Sequence, residues 1–510
     1  MALARTFSVS VIGVSGRLVE VEADLSAGLP GLTFTGLADA SVLESRERVR
    51  AAVLNSGFSW PNKRITVALL PADLRKHGSM FDLALAVSVL CAAGEVPSSA
   101  LVDAVWLGEL GLDGRLRPVR GVLPAVLAAR EHGIGTVYVP AGCADEAALV
   151  GGIEVRSAAD LGEVVGSMKP AGSPLPVARP PRPGDLEAGP DLIDVVGQPL
   201  GRRAVEVAAA GAHHLLLWGT PGAGKTMLAE RMPSILPPLD EAAALEVTAI
   251  HSVAGVLPPG VGLIQQPPLQ LPHHTSSMAS LVGGGSGLGR PGAASLAHRG
   301  VLVLDEAAEF RPSVLDSLRQ ALEAGRIVLH RANGAVEYPA RFQLVLATNP
   351  CPCGRNRDID CDCTPQVRAR YRRRLSGPLL DRIDLQINVE PVSRAYLMSD
   401  EDVPIESSAT VAERVLRARR AAAERWVQFG WRTNAEVPGP LLRSRRWRPA
   451  RDALVQLDDA LDRGTLSARG YDRVLKLAWT LADLRGATMP AADEVAEAIE
   501  LRCGQPLVAA

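Results

Sequence analysis

The octapeptide Gly219-Thr220-Pro221-Gly222-Ala223-Gly224-Lys225-Thr226 follows directly on the apolar run Leu215-Leu216-Leu217-Trp218. Few short stretches restrict a fold more tightly. A buried strand must run into a loop that lacks a Cβ at three positions, and the loop must open a helix. The glycines Gly219, Gly222 and Gly224 let backbone N–H groups come close to phosphate oxygens. The helix opening at Lys225 turns the positive end of its dipole toward the same phosphates. Lys225 is placed to reach the β- and γ-phosphates, and Thr226 offers a hydroxyl to Mg²⁺. Gly219 to Thr226, with Thr220, Pro221 and Ala223 filling the loop, form the expected ATP-binding segment. The alternative is a chance match in a chain with 48 glycines. The strand before the loop and the helix after it weigh against chance.

Further apolar runs supply the rest of a nucleotide site. Val301 to Leu304 predicts a buried parallel strand ending in Asp305-Glu306. Asp305 is expected in the Mg²⁺ shell, and Glu306 is suited to polarise an attacking water. An acidic helix start after a strand would look the same in isolation. The stretch FQLVLATN ends at Asn349, an amide able to position that water or sense the γ-phosphate, or simply to cap a turn before Pro350. Arg382, in LLDRID, is a candidate finger for a neighbouring subunit's γ-phosphate, or a local ion-pair partner of Asp381 or Asp384. Arg469 and Arg473 lie four apart on a predicted helix and share a face. One of them is expected to close over the γ-phosphate, and Arg469 is the candidate catalytic residue; a solvated basic face is the alternative.

The chain has 510 residues, too many for one ordinary core. Proline-rich Met168 to Pro190 predicts a semi-extended linker, and a second boundary falls between Val392 and Ser408. The expected divisions are 1–167, 168–190, 191–395 and 396–510. The first is mixed α/β, with strands at RITVALLP and GTVYVP and helices at FDLALAVSVLCAAG and VLPAVLAAREHG. The third carries a parallel sheet, and the last shows helical periodicity throughout. No apolar run is long enough to span a bilayer, and no signal-peptide pattern opens the chain, so a cytoplasmic protein without membrane partners is expected. A net charge of −2 requires any nucleic-acid contact to be local.

Four of the seven cysteines crowd into CPCGRNRDIDCDC. Alternate residues of an extended segment face one side, so Cys351, Cys353, Cys361 and Cys363 can converge on structural Zn²⁺. Free thiols or a redox pair are the alternatives. Five arginines follow between Arg368 and Arg374. Two alternating runs flank Asn333-Gly334, the signal of a tight hairpin, with Arg331 beside its tip as the candidate DNA contact. Gly-rich Leu281 to Gly292, with Arg290 as its only charge, is a second candidate loop.

In this order, the phosphate loop, LVLDE, ATN, LLDRID and SARGYDR resemble the AAA+ ATPases of the magnesium-chelatase clade. AAAGAHHLLLWGTPGAGKT, LPHHTSSMASLVGGGS, SLAHRGVLVLDE, YPARFQLVLATNPCPCG and RRRLSGPLLDRID are similar to segments of the ComM/YifB family within it. The resemblance spans nearly the whole chain. It departs at Leu269-Gln270, where the family has Phe-Arg, and at Ala307-Ala308, where Leu-Pro is usual. It implies an Mg²⁺-dependent ATPase, a hairpin in the central channel of a homohexameric ring, and ATP-driven branch migration on single-stranded or branched DNA beside recombination proteins. The segment GELGLDGRLRPVRGVLPAVLAAREHGIGTVYVP is similar to the proteolytic domain of Lon-type proteases. Aligned so, Met80 stands at the serine position and Leu123 at the lysine position, with Ser79 one residue off. That implies a Lon-like fold without its nucleophile–base pair. The competing functions are a DNA motor, a chelatase-type remodeller of a partner protein or metal inserter, and an ATP-regulated scaffold.

Overall fold

A computed structural model describes residues 2–170, 172–181, 189–285, 289–331, 334–355, 361–392 and 405–503. The N-terminal part is a seven-stranded sheet in the order Gly31–Thr35, Arg64–Leu70, Ser15–Ser26, Ala2–Ile12, Ala104–Trp106, Thr136–Pro140 and Glu154–Ala158. Antiparallel Ala2–Ile12 and Ser15–Ser26 join through a turn at Gly13, and parallel strands complete one side. The helix Asp82–Ala92 is buried nearly all round, which explains its unbroken apolar sequence. The helix Val122–Glu131 closes at His132, and Gly133 turns the chain with φ +77°. Met80 and Leu123 pack into one apolar cluster beside Val105 and Val126. The Ser79 hydroxyl donates instead to Glu109.

The proline-rich connection is not free along its length. Leu175 is buried in the N-terminal core, and Ala178 donates its N–H to Val155 of the last strand. A sheet edge offers unpaired backbone groups to any extended segment, so a proline-rich strap attaches there with little apolar anchorage beyond Leu175 and Ala178. Residues 182–188 lie outside the description.

The ATPase sheet has five parallel strands in the order Leu269–Gln270, Val301–Leu304, Gln343–Thr348, Leu215–Trp218 and Leu385–Asn388. Counted along the chain this is 2-3-4-1-5. The strand ending at Thr348 therefore separates the phosphate loop from the acidic pair, and three functional strand ends lie side by side. Leu215, Leu216, Leu217 and Val301 to Leu304 are all buried, as strands covered on both faces must be. Leu269-Gln270 forms the short edge strand.

The C-terminal part is helical, with Ser408–Trp426, Ala468–Arg485 and Ala492–Cys503 as its long helices. Trp426, Trp447 and Trp479 pack ring against ring, with centroids 4.6–6.0 Å apart. Asp384, fully buried before the last sheet strand, fastens these helices to the sheet. It accepts from Arg473 at 2.6 Å and from the backbone of His214 at 3.0 Å. Burial alone would raise the Asp384 carboxyl, but Arg473, His213 and His214 hold it well below the ordinary range.

The N-terminal part rests on the ATPase part at two places. Its helix Val122–Glu131 packs on Glu241–Ala254, where half-buried Glu146 accepts from Ser252 at 2.5 Å and from the Leu123 N–H at 2.8 Å. Its Gly13 turn meets a hairpin of Arg326–Arg331 and Gly334–Pro339 so closely that a Cβ on Gly13 would lie 2.6 Å from the Glu337 carbonyl.

Candidate active site

The phosphate loop takes its shape from glycine. Gly222 and Gly224 sit at φ +77° and +87°, where a side chain would strain the backbone. A Cβ on Gly219 would strike the Val389 carbonyl at 2.3 Å. Gly224 caps the helix Lys225–Glu230. Lys225 is 7% exposed, and its Nζ donates to the carbonyls of Gly219 at 2.9 Å and Thr220 at 2.8 Å and to Asn349 Oδ1 at 3.1 Å. Burial lowers its pKa, and Asp305 and Glu306 oppose that. An ammonium satisfied by neutral acceptors fits an incoming phosphate, which offers the same bonds with full charge. Thr226 Oγ1 donates to Asp305 Oδ2 at 2.8 Å. These two oxygens form a hard donor pair suited to Mg²⁺.

Glu306 follows on that strand with its backbone left-handed, at φ +51° and ψ +42°. A glutamate there is strained, and the observation points to a functional position. Its N–H donates to Asp305 Oδ1 at 2.8 Å, and its carboxylate lies 2.9 Å from His274 Nδ1. The His274 ring lies tilted against that of His273, with centroids 4.1 Å apart, and the His273 ring bonds Thr275 at 2.8 Å. The His pair follows the edge strand and so arrives beside the acidic pair.

Arg382 bonds Pro378 and Glu323 of its own chain. Burial, then the neighbouring charges of Arg319, Arg469 and Arg473, lower its pKa. Arg469 reaches Asp381 at 3.1 Å with its side chain 77% exposed. Arg473, by contrast, is committed to buried Asp384. The ion pairing expected as an alternative for Arg382 is thus present, but through Glu323.

Sequence reasoning missed two parts of this site. His274 contacts Glu306 from 32 positions away, through a strand of only two residues. Gln198 donates from Nε2 to Ala223 of the phosphate loop at 3.0 Å and to Glu390 at 2.6 Å. It lines a cavity of about 340 Å³ with Val195, Gly197, Pro199, Val411 and Arg414. The signal was the segment DVVGQP, a glycine and an amide just ahead of a helix whose first residue is Pro199.

The four thiols of Cys351, Cys353, Cys361 and Cys363 lie within 4.8 Å of one another. Burial pushes Cys351 up to about 12, and hydrogen bonding from Cys351 pulls Cys353 down to about 6. Arg331 is exposed on the hairpin. It pairs with Gly334, and Asn333, the first residue of the expected turn, lies outside the described residues. The Gly-rich loop closes as a small ladder, Gly283 with Pro291 and Gly284 with Arg290. The two features touch: a Cβ on Gly284 would lie 2.9 Å from Arg331 Nη2, and Tyr338 donates to the Gly289 carbonyl at 2.8 Å.

Fold and site define an AAA+-type P-loop ATPase carrying a Lon-like N-terminal domain. Family models agree with it along the chain. "Magnesium chelatase, subunit ChlI" matches residues 191–397, "Subunit ChlI of Mg-chelatase" residues 21–142, and "Magnesium chelatase, subunit ChlI C-terminal" residues 405–502. An uncharacterised protein of Mycobacterium tuberculosis H37Rv is 55% identical over 506 residues, 98% of this chain and 99% of its own. Competence protein ComM of Haemophilus influenzae is 40% identical over 508 residues, 98% of each chain. YifB of Escherichia coli K12 is 39% identical over 502 residues, 98% of this chain and 97% of its own. A Lon protease of Mycolicibacterium smegmatis is 29% identical over 137 residues, 26% of this chain and 17% of its own. The chain belongs to the ComM/YifB family of magnesium-chelatase-like ATPases. Among the described residues no helix is long and apolar enough to cross a membrane.

Proposed function

We propose that this ATPase hydrolyses ATP with Mg²⁺ to move on single-stranded or branched DNA. The observation that carries the reading is the meeting of Arg331 and the Gly-rich ladder on the face of a chain whose strand ends assemble Lys225, Asp305, Glu306 and Asn349. Lys225 and the loop N–H groups hold the phosphates, and Gln198 and its cavity take the nucleoside. Thr226 and Asp305 would hold Mg²⁺, which would supply positive charge to offset that of the phosphates. Glu306, oriented by His274, takes the proton of the attacking water, and Asn349 places that water. Arg469 closes over the γ-phosphate, and Arg382 acts on the nucleotide of the next subunit in a homohexamer. Recombination proteins are the natural partners of such a motor, and the name of the Haemophilus relative, a competence protein, suits that setting. The four thiolates hold structural zinc. The Lon-like domain, with Met80 and Leu123 in an apolar cluster, serves binding or assembly and not peptide cleavage.

A chelatase-type remodeller of a partner protein is the second reading, favoured by the family models. The deciding experiment measures ATPase rate with and without single-stranded and forked DNA across a salt series. Stimulation that fades with salt supports the motor. Indifference to DNA at every salt concentration favours the remodeller.

A further inference from the structure

We infer that a zinc ion bound by Cys351, Cys353, Cys361 and Cys363 clasps the phosphate loop, so that metal occupancy sets the affinity for ATP. The inference deepens the ATPase reading and rests on it.

The thiols suit the ion. Cys351 Sγ lies 3.0 Å from Cys353 Sγ and 3.4 Å from Cys361 Sγ, and Cys353 Sγ lies 3.5 Å from Cys361 Sγ. A disulfide would need about 2.05 Å. A tetrahedron of sulfurs about 2.3 Å from zinc has edges of about 3.8 Å. Three of the thiols are thus gathered slightly inside the size of a zinc tetrahedron, the fourth lies within 4.8 Å of them, and none of the four is in a disulfide.

The cluster is built onto the nucleotide site. Cys351 follows Asn349 by two residues, and the Asn349 amide accepts from Lys225 Nζ. Gly354, at φ +76°, turns the chain after the first cysteine pair. It is pressed on the phosphate loop: a Cβ there would lie 2.7 Å from both Cδ and Cγ of Pro221. The first pair therefore belongs to the ATPase sheet and the phosphate loop. The second pair leads into the helix Pro365–Arg372. Thiol–thiol contacts are weak bonds, and thiolate–metal bonds are strong. The ion is what makes this junction rigid. Loss of the ion frees the turn at Gly354, and with it the support behind Pro221 and Asn349.

The test uses the full chain purified with reductant. Metal content is read by elemental analysis, and affinity by titration with a fluorescent ATP analogue. About one zinc per chain is expected. Stripping it with a chelator, reductant retained, should weaken nucleotide binding at least about tenfold, and added zinc but not magnesium should restore it. Recovery in the same sample separates the effect from irreversible unfolding. Cys353→Ser/Cys361→Ser should bind weakly without rescue by zinc, and Cys91→Ser/Cys503→Ser should behave as wild type. Gly354→Ala should keep its zinc yet bind nucleotide more weakly. Unchanged affinity after verified stripping overturns the clasp and leaves the ATPase reading standing. Absence of zinc from the reduced protein also overturns it. Failure of zinc-loaded wild type to bind the nucleotide overturns the ATPase reading itself.

Discussion

His274 Nδ1 lies 2.9 Å from a carboxylate oxygen of Glu306, whose backbone is held left-handed at the end of the acidic strand. A base is effective only when aimed, and in the role proposed for Glu306 the neighbouring ring would aim it. Glu306→Gln should bind ATP normally and turn over at least about a hundredfold more slowly, because water activation is lost while the phosphate cradle stays. His274→Ala should lower kcat about tenfold at unchanged ATP affinity, the smaller loss expected of an orienting group. Single-turnover rates beside equilibrium binding check both. Near-normal turnover by the Glu306 variant would remove it from the role of base.

Lys225 is satisfied by two loop carbonyls and Asn349. Lys225→Ala should abolish ATP binding, since it removes the buried ammonium that lies inside the loop. Asn349→Ala should keep most of the affinity and lose turnover, because the role proposed for its amide is to place the attacking water rather than to hold the phosphates. Isothermal titration separates the two outcomes.

The pieces legible in the sequence share one property: they are local. Strand, loop and helix around Gly219–Thr226 are continuous, and so is the run into Asp305-Glu306. The helices Ser408–Trp426 and Ala468–Arg485 announce themselves by period. What escaped depends on distant pairing. Only the register of a two-residue edge strand brings His274 to Glu306. Arg382 finds Glu323 across a helix, not the adjacent Asp381. The contact of Gly354 with Pro221 joins segments 133 positions apart. Leu175 anchors a proline-rich strap because a sheet edge happens to be open beside it.

Acid should loosen the junction between sheet and helices. His214 Nδ1 accepts the Leu344 N–H at 3.0 Å, so that nitrogen must stay unprotonated. Burial lowers His214 from 6.5 to about 4. A base weakened by folding favours the unfolded chain when protonated, so this stability is complete above about pH 6.5 and drains as pH falls toward 4. The whole shift corresponds to about 3 kcal/mol, and about 1–2 kcal/mol is expected at pH 5 because solvent reaches part of the ring. Asp384, whose carboxyl is depressed, keeps its contribution until lower pH. Urea denaturation at about pH 7.5 and pH 5 should show the loss, and His214→Asn should shrink the difference.

Arg382 is tied to Glu323 within its own chain, and a role at the next subunit requires that contact to be exchanged. Arg382→Ala chains, which keep Lys225, and Lys225→Ala chains, which keep Arg382, should each be nearly inactive alone. Mixed, they should recover part of the wild-type rate, because some interfaces then hold one intact loop and one intact finger. No rescue in rings shown by mass to be mixed would count against action in trans.

Arg331 touches Gly284 of the ladder that carries Arg290, so a ring would set copies of both arginines around one channel. With a chain charge of −2, only such local concentration can hold a phosphate backbone. Binding of forked DNA should therefore weaken steeply with salt, as counterion release requires. Arg331→Ala should weaken it for all sequences alike and flatten the salt slope, since a phosphate contact carries no base information. Basal ATPase should persist, because Arg331 lies on the hairpin beside Gly284 and its loss leaves the phosphate loop intact. Fluorescence anisotropy over a salt series and DNA-stimulated ATPase report the two effects separately. If the variant binds forked DNA like wild type and its ATPase still responds to DNA, the hairpin is not the grip, and the remodeller reading gains at the motor's expense.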